Sequence, residues 1–311
     1  MKLSIIIISY NTKEILDNCI ASIKSSCIRH SYEIIVVDNA SHDGSVDMLE
    51  QKHSDIKLIK NKENKLFAIA NNQGAKIATG EYLFLLNSDT LVYDTNIDRL
   101  IDYFDTLSDQ IICIGPKILN FDKTLQSQGM HGFSLWGTFC SYFKIEKILP
   151  GFIGKILLPP ATYCWNCNQP HEVGWVSGCA MMIRRKEYMA LGGLNEKLEF
   201  YGEEPEFSYR AKKNGYSTYY NPYVEIIHLG GYSTPRKTNI KEQQEISLRR
   251  YTKLIELTTG YKYGIFTSMI VLLSCYCKLP FVRNKNVLKE RIINDRKVIS
   301  HFYRLLRERN S

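Results

Sequence analysis

The chain has 311 residues, of which 44% are hydrophobic and 23% are charged, a balance typical of globular proteins. Its 19 glycines and 9 prolines are too few for a collagen-like or low-complexity chain. The formal net charge is +8, and residues 278–311 hold ten basic and three acidic side chains. Because the remainder is almost neutral, the charge argues against a nucleic-acid groove on the main part of the chain, and we expect no nucleic-acid partner.

The first 87 residues alternate between strand and helix patterns. Residues 3–8 and 33–37 are mainly β-branched and apolar, which is typical of parallel strands covered on both faces. Further helical and strand patterns follow the same rhythm, at residues 12–28, 46–52, 56–60, 68–79 and 82–86. The alternation predicts a doubly wound, mainly parallel α/β sheet. Ligands of such sheets bind beyond the carboxyl ends of the strands.

Polar clusters follow three of these predicted strands. They are Ser9, Tyr10 and Asn11; Asp38 and Asn39; and Asn87, Ser88 and Asp89. Taken singly, each cluster is also explained as an ordinary turn or helix cap. Because the carboxyl ends of parallel strands meet at one edge of the sheet, we expect the three clusters to converge on one site.

A series of motifs makes the pattern more specific. They are SIIIISYN at 4–11, EIIVVDNASHDGS at 33–45, FAIANNQGAKIATGEYLFLLNSDT at 67–90, WVSGCAMMIRRKEY at 175–188 and YGEEPEFSYRAKKNGY at 201–216. In this order they resemble family 2 glycosyltransferases of the GT-A fold. The Asn-Ser-Asp-Thr, Trp-Val-Ser-Gly and His-x-Gly-Gly segments most resemble rhamnosyltransferase-like members, with galactofuranosyltransferases as near alternatives. The resemblance predicts a GT-A domain over 1–235 and a separate helical region over 236–311.

The resemblance implies a UDP- or dTDP-sugar donor. At the family's positions, Asp38 accepts from the imide N–H of the base, and Tyr10 offers a ring face for stacking. Asn72 matches the position that reaches the ribose or diphosphate, and Asn87 the one that binds the ribose. Ser9, Asn11, Asn39 and Ser88 complete the predicted donor-binding set. Relatives usually carry Gly before Phe67, so Leu66 puts the backbone contacts of this turn in doubt.

A cation site and a catalytic carboxylate also follow from the resemblance. Asp89 and His228 match the positions that hold Mg²⁺ or Mn²⁺, and hard cations of this kind favour carboxylate and phosphate oxygens. Asp89 as a turn cap and His228 as a structural side chain are the alternatives. Glu204 matches the base that takes the acceptor proton in an inverting transfer, with Glu203 as a second candidate. Acids at a helix N-terminus are favoured by the helix dipole as well, so both could serve only as caps.

The acceptor side is predicted from Trp175, Ser177 and Gly178, together with an aromatic-rich insertion over 131–171. Ring faces pack well on sugars and apolar chains, which suits a glycan or polyprenyl-diphosphate-linked acceptor; a packed helical subdomain is the alternative. Cys164, Cys167 and His171 give only a weak indication of zinc.

The C-terminal region predicts attachment to a membrane surface. Residues 263–277 are uncharged but too few to span a bilayer, which needs about 17–25 residues. Beyond Pro280, apolar and basic residues alternate at helical spacing, which favours an anionic membrane surface as partner. A solvated helical bundle is the alternative. The nine cysteines, which follow no disulfide framework, predict a cytoplasmic protein, here peripheral on the cytoplasmic face of the membrane.

These observations predict a metal-dependent inverting glycosyltransferase that extends a lipid-linked surface polysaccharide, with rhamnose favoured as the sugar. A sugar-phosphate nucleotidyltransferase is disfavoured, because SYNTKE at 9–14 is not a Gly-rich phosphate loop. A catalytically silent nucleotide-sugar-binding scaffold at the membrane is a third hypothesis, suggested by Leu66 and by Glu204 where relatives carry Asp.

Overall fold

The computed structural model describes residues 1–26, 29–127, 132–145, 168–198, 201–230, 240–282 and 285–310. The chain forms two compact units. The first contains Met1–Met130 and Asn166–Arg236, and the second contains His131–Trp165 and Lys237–Ser311. Residues 132–145, which were predicted to belong to the first domain, therefore group with the C-terminal helices.

The first part of the sheet follows the predicted alternation. It contains β1 (Leu3–Ser9), α1 (Lys13–Ser25), β2 (Tyr32–Asp38), α2 (Ser45–Lys52), β3 (Lys57–Lys60), α3 (Leu66–Ile77) and β4 (Tyr82–Asn87). These four strands lie in the order β3-β2-β1-β4 and all pair in parallel. Ser9 pairs with Asp38 and Ile8 with Asn87, so the three polar clusters lie at the same edge, as predicted.

The second part of the sheet is mixed. Its strands are β5 (Thr90–Leu91), β6 (Ile111–Leu119), β7 (Leu125–Ser127), β8 (His171–Val173), β9 (Ala180–Arg184) and β10 (Ser217–His228). The helices between them are α4 (Asn96–Asp105), α6 (Arg185–Ala190) and α7 (Glu203–Lys213). Helix α5 (Leu135–Phe143) belongs to the second unit. Strand β9 runs antiparallel between β4 and β6, whereas β6 and β10 are parallel. The prediction of a mainly parallel sheet thus holds for β1 to β4, and β9 introduces antiparallel pairing beyond them.

A hydrophobic core lies on each face of the sheet. Alternate residues of a strand point to opposite faces, and in β1 Ile5 and Ile7 belong to one core while Ile6 belongs to the other. Helix α1 contributes Leu16, Cys19, Ile20 and Ile23 to the first of these cores. Burial on both faces explains why β1 and β2 are continuously apolar rather than alternating.

The second unit is helical. It contains α5 (Leu135–Phe143), α8 (Ile240–Leu257), α9 (Tyr261–Lys278) and α10 (Asn286–Asn310). One small core joins Ile255, Ile265 and Phe302, and another joins Val271, Cys275 and Ile292. Helix α5 packs on α9, where the Tyr142 carbonyl accepts hydrogen bonds from Ser274 Oγ and Lys278 Nζ. This packing is the physical reason why residues 132–145 group with the C-terminal helices.

Within the described ranges, no helix combines the length and the apolar character that a membrane crossing requires. The proposed zinc ligands Cys164 and Cys167 lie outside the described residues. His171, the third member of that hypothesis, begins β8, and its Nδ1 lies 2.7 Å from the carbonyl oxygen of Gln169.

Candidate active site

A cleft of about 230 Å³ lies at the carboxyl edge of the sheet. Ten of the predicted site residues line it: Tyr10, Asn39, Asn87, Ser88, Asp89, Ser177, Gly178, Glu203, Glu204 and His228. Its other lining residues are Ile8, Asn64, Leu66, Phe67, Cys179 and Tyr201. The cleft therefore brings together the predicted cation ligands, the predicted base and part of the predicted donor site.

Buried hydroxyl groups fix the strand ends beneath this cleft. Ser9 Oγ lies 3.2 Å from Thr12 Oγ1, and Thr12 Oγ1 donates to Ser88 Oγ at 3.2 Å. The Ser9 carbonyl also accepts from the Asn39 N–H at 2.8 Å. Ser9 thus holds the ends of β1, β2 and β4 in place but does not line the cleft.

Asp38 is buried, with 1% of its surface exposed, and it is not among the described residues that line the cleft. Its Oδ2 accepts from the Ser41 N–H at 2.9 Å. Its Oδ1 has no hydrogen-bond partner within the described part of the chain. A buried acceptor left in this state costs about 1–3 kcal/mol, so Asp38 suits a ligand that brings an N–H donor.

Asn11 supports the neighbouring loop rather than the cleft. It adopts φ +53°, in the left-handed region that Asn tolerates better than most residues. Its Oδ1 accepts from the His42 N–H at 2.8 Å, and its own N–H donates to Ser41 Oγ at 2.9 Å. Asn11 therefore shapes the loop that holds Asp38.

Asn72 lies away from the cleft and is held within the protein. Its Nδ2 donates to the Leu194 carbonyl and to Glu196 Oε1, both at 2.9 Å. Its Oδ1 accepts from Tyr188 Oη at 2.6 Å and from the Leu194 N–H at 2.9 Å. Because these four bonds use the whole amide, its position does not support the predicted contact with the donor; Asn72 anchors the loop at Leu194.

Leu66 adopts the left-handed backbone conformation, with φ +63°, and lines the cleft. Leu66 put the backbone contacts of this turn in doubt, because relatives usually carry glycine before Phe67. The structure keeps the angle with a leucine instead, although such a conformation costs a residue with a side chain roughly 1–2 kcal/mol.

Asp89 and His228 form the candidate cation site. His228 Nε2 lies 3.1 Å from Asp89 Oδ1, yet this oxygen has no hydrogen-bond partner among the described residues. Antiparallel pairing of His228 with Thr90 brings the two side chains together. Two ligands at right angles around Mg²⁺, each about 2.0–2.1 Å from it, lie about 3 Å apart, so the pair fits a divalent cation.

The pair supplies only part of a coordination shell. Among the described side chains, no group of three or more His, Cys, Asp or Glu residues is placed to hold a metal ion. Mg²⁺ is commonly bound through one or two protein ligands together with substrate phosphates and water. A two-ligand site open to a cleft matches this mode of binding.

Helix α7 presents the two candidate catalytic carboxylates. It begins after Gly202, which has φ +111°, a conformation open to glycine. Glu204 Oε1 accepts from the Gly178 N–H at 2.9 Å, and burial raises the pKa of Glu204. A Cβ on Gly178 would lie 2.3 Å from Glu204 Oε1, so only glycine leaves room for the carboxylate. Glu203 is buried and also lines the cleft.

Several residues play other parts than the sequence suggested. Trp175 is not among the described residues that line the cleft. Arg184, at the end of β9, donates to the carbonyl oxygens of Ile111 and Leu107. Arg210 pairs with Glu206, four residues before it on α7. Gln126 and Tyr201 were missed, because Gln126 stands in no motif or periodic segment and Tyr201 opens the motif at 201–216 without a predicted role.

Residues 4–187 match the family model for glycosyl transferase family 2. The chain belongs to this family. A stretch of 115 residues is 35% identical to the uncharacterized glycosyltransferase YfnE of Bacillus subtilis, covering 36% of this chain and 29% of the relative. The N-acetylglucosaminyl-diphospho-decaprenol L-rhamnosyltransferase of Mycobacterium tuberculosis is 23% identical over 254 residues, which are 75% of this chain and 78% of the relative.

Solved structures place the glycosyltransferase in the GT-A fold class. A crystal structure of GalNAc-T7 with UDP, GalNAc and Mn²⁺ matches with a TM-score of 0.60 at 16% identity, over 95% of this chain and 54% of the other. The chain thus spans less than two thirds of the length of YfnE and of GalNAc-T7.

Proposed function

We propose that this family 2 glycosyltransferase is a divalent-cation-dependent inverting enzyme that moves a sugar from a UDP- or dTDP-sugar to a hydroxyl group. The observation that carries the proposal is the meeting of Asp89, His228 and Glu204 in one cleft. A transfer with inversion needs a cation for the leaving diphosphate and a base for the acceptor proton. These residue types supply both at the place where GT-A ligands bind.

In this mechanism Asp89 and His228 hold Mg²⁺ or Mn²⁺, which neutralises the negative charge of the departing diphosphate when bound. Glu204 takes the proton from the acceptor hydroxyl. Its raised pKa makes it a stronger base than an exposed glutamate, and the Gly178 N–H fixes the direction of the carboxylate. Glu203 remains a second candidate for the base.

The donor site is proposed on the other side of the cleft. The free Oδ1 of Asp38 suits the imide N–H of uracil or thymine, which lies in the ring plane. Tyr10, Asn39, Asn87 and Ser88 provide a ring face and polar edges for the rest of the nucleotide. Asn72 is left out of this proposal because its amide is fully bonded elsewhere.

Rhamnose is the proposed sugar, and a polyprenyl-diphosphate-linked glycan of a surface polysaccharide is the proposed acceptor. The support is the similarity to the mycobacterial rhamnosyltransferase, whose name specifies a decaprenol-linked acceptor. Ser177 and Gly178 line the acceptor side of the cleft in this proposal. Galactofuranose or another hexose is the alternative within the same family.

The direct test is calorimetric titration with UDP, dTDP, GDP and CMP, each with and without Mn²⁺. We expect cation-dependent binding of UDP or dTDP that Asp89→Ala weakens at least tenfold. Asp109→Ala is the matched control, because the Asp109 side chain is 96% exposed. Equal binding by the wild type and Asp89→Ala would contradict the cation site.

Transfer itself is tested with dTDP-rhamnose and a short polyprenyl-diphosphate N-acetylglucosamine acceptor, with the anomeric configuration of the product read by NMR. An inverted product is expected. Nucleotide binding without turnover of any donor would favour the silent scaffold at the membrane over the enzyme.

A further inference from the structure

Gln126 makes two hydrogen bonds to His228 and one to Asn120, although it stands in none of the sequence motifs. Its Oε1 lies 2.6 Å from His228 Nδ1. Its Nε2 donates to the His228 carbonyl oxygen at 3.1 Å and to Asn120 Oδ1 at 2.9 Å. Since only the amide nitrogen can donate to two oxygens, the amide oxygen must face the ring, and Nδ1 must carry the proton.

The orientation of Gln126 is fixed in turn by the hairpin between β6 and β7. The Asp122 carboxylate, which can only accept, takes a hydrogen bond from Thr124 Oγ1 at 2.5 Å. Thr124 Oγ1 therefore accepts from Asn120 Nδ2, at 2.9 Å, which leaves Asn120 Oδ1 facing the Gln126 amide nitrogen. Each bond in this series has one possible direction, from the hairpin turn to the imidazole.

The opposite side of the ring agrees with this assignment. Asn87 Nδ2 lies 3.4 Å from His228 Nε2, so the amide donates and Nε2 accepts. Asp89 Oδ1 lies 3.1 Å from the same nitrogen without a hydrogen bond. Two acceptor atoms at this separation can bind the same cation, with the ligands at about a right angle around it.

We infer that Gln126 is a positioning residue, which holds His228 in the Nδ1-protonated tautomer and directs the Nε2 lone pair toward the cation site shared with Asp89. The inference rests on the cation site of the proposed function. Hydrogen bonds to a metal-ligating histidine typically change metal affinity 10–100-fold. Because Gln126 is exposed, water competes for its bonds, and an effect of about tenfold, the lower end of that range, is expected.

The first test needs no cation. Nitrogen-15 NMR of the histidine-labelled protein reports which ring nitrogen of His228 carries the proton, with His228→Ala assigning the signal. We expect the Nδ1-protonated form in the wild type and in Gln126→Glu, which keeps an accepting oxygen. Gln126→Leu is expected to shift the ring toward the Nε2-protonated form. An Nε2-protonated ring in the wild type would overturn the inference.

The second test measures Mn²⁺ affinity in the presence of UDP by electron paramagnetic resonance. We expect Gln126→Leu to weaken Mn²⁺ binding about tenfold, Gln126→Glu to retain most of it, and Gln51→Leu, on the exposed face of α2, to change nothing. In a His228→Ala background, Gln126→Leu should have no further effect, because its target is gone.

The outcomes separate the two proposals. If His228→Ala leaves Mn²⁺ affinity unchanged, the cation site of the proposed function fails. If His228→Ala weakens binding but Gln126→Leu does not, the cation site stands and the role of Gln126 is wrong. If Gln126→Leu weakens binding equally in the presence and absence of His228, its effect is general and the positioning role is also wrong.

Discussion

Glu204 combines the two properties that a general base needs, a fixed direction and a raised pKa. Both come from its neighbours, since the Gly178 N–H holds one carboxylate oxygen and burial disfavours the charged form. The base must be deprotonated to accept a proton. If Glu204 is the proposed base, we therefore expect the rate to fall on the acid side as pH drops through the pKa of Glu204.

We predict that Glu204→Gln lowers kcat by about 10²–10⁴-fold, the usual contribution of a general base. The wild-type acid limb should lie above pH 4.5, the ordinary value for glutamate. Steady-state rates across pH 4–9 give both quantities. Glu203→Gln is the matched comparison, and a larger loss in that variant would transfer the role of base to Glu203.

Leu66 gives a second prediction, about stability. We expect the free energy of unfolding of Leu66→Gly to exceed that of Leu66→Ala by about 1 kcal/mol. The reason is that glycine alone adopts the left-handed conformation of this position without strain. At Lys76, an exposed position of the same helix, Lys76→Ala should be more stable than Lys76→Gly, because alanine has the higher helix propensity. Urea unfolding of the four variants measures both differences, and the same order at both positions would contradict the strain at Leu66.

The residues of the site were predictable to the extent that they stand at strand ends. Asp89, Asn39 and Tyr10 follow buried strands, so their convergence follows from parallel pairing. The donor contact of Asn72 was predicted from the family's motif, and the motif does not show that the loop at Leu194 takes up its amide. Gln126 could not be found, because its role depends on a hydrogen bond across 102 residues.

At the scale of elements, the local pattern predicted β1 to β4 with their helices, because each carries its own periodicity. Strand β9 lies between β4 and β6. This position could not be predicted, because the residue pattern of a strand does not show which strands pair with it. Strand β7 has three residues, too few to show any period. Residues 131–165 were assigned by sequence order, whereas α5 takes its place from the apolar surface of α9.

Helix α10 carries a buried charge that the sequence did not reveal. Burial raises the pKa of Asp295 to about 6, although Arg291 acts against it. The folded state therefore holds the proton more tightly than the unfolded chain, whose ordinary value is 3.8. Stability contributed by the protonated form is present below about pH 3.8 and is lost as pH rises through about 6.

We predict that Asp295→Asn raises the free energy of unfolding at pH 7.5 by roughly 1–3 kcal/mol. The gain should disappear below about pH 3.8, where both side chains are neutral. Thermal unfolding followed by circular dichroism at the two pH values measures the difference. Glu256→Gln, at an exposed position of α8, is the control, and equal effects in the two variants would contradict the assignment to burial.

At the scale of the whole molecule, the helical unit carries the features of a surface that binds lipid. One face of α9 exposes Phe266, Met269, Leu273 and Tyr276, which recur at intervals of three and four residues and so share a side of the helix. Helix α10 exposes Lys289, Arg296 and Lys297 among other basic residues. A helical unit that exposes both apolar and basic side chains suits the predicted anionic membrane surface.

We predict that the protein sediments with vesicles of phosphatidylglycerol and phosphatidylcholine but weakly with phosphatidylcholine alone. The double variant Phe266→Ser, Leu273→Ser should lose most of this binding, while Lys289→Gln should weaken it by about 1 kcal/mol and reduce its dependence on salt. Met189→Ser, which removes an exposed apolar side chain from the first unit, is the control. Equal binding to both kinds of vesicle would contradict the role of the basic residues.

The two ligands of the candidate cation site lie far apart in the sequence, because Asp89 follows β4 and His228 ends β10. During synthesis, the strand that carries His228 is made last among those of the sheet that are described here. A chain that has folded only β1 to β4 therefore holds Asp89 without its partner. The proposed cation site would therefore be complete only once β10 has joined the sheet, and cation binding would then distinguish a finished domain from an unfinished one.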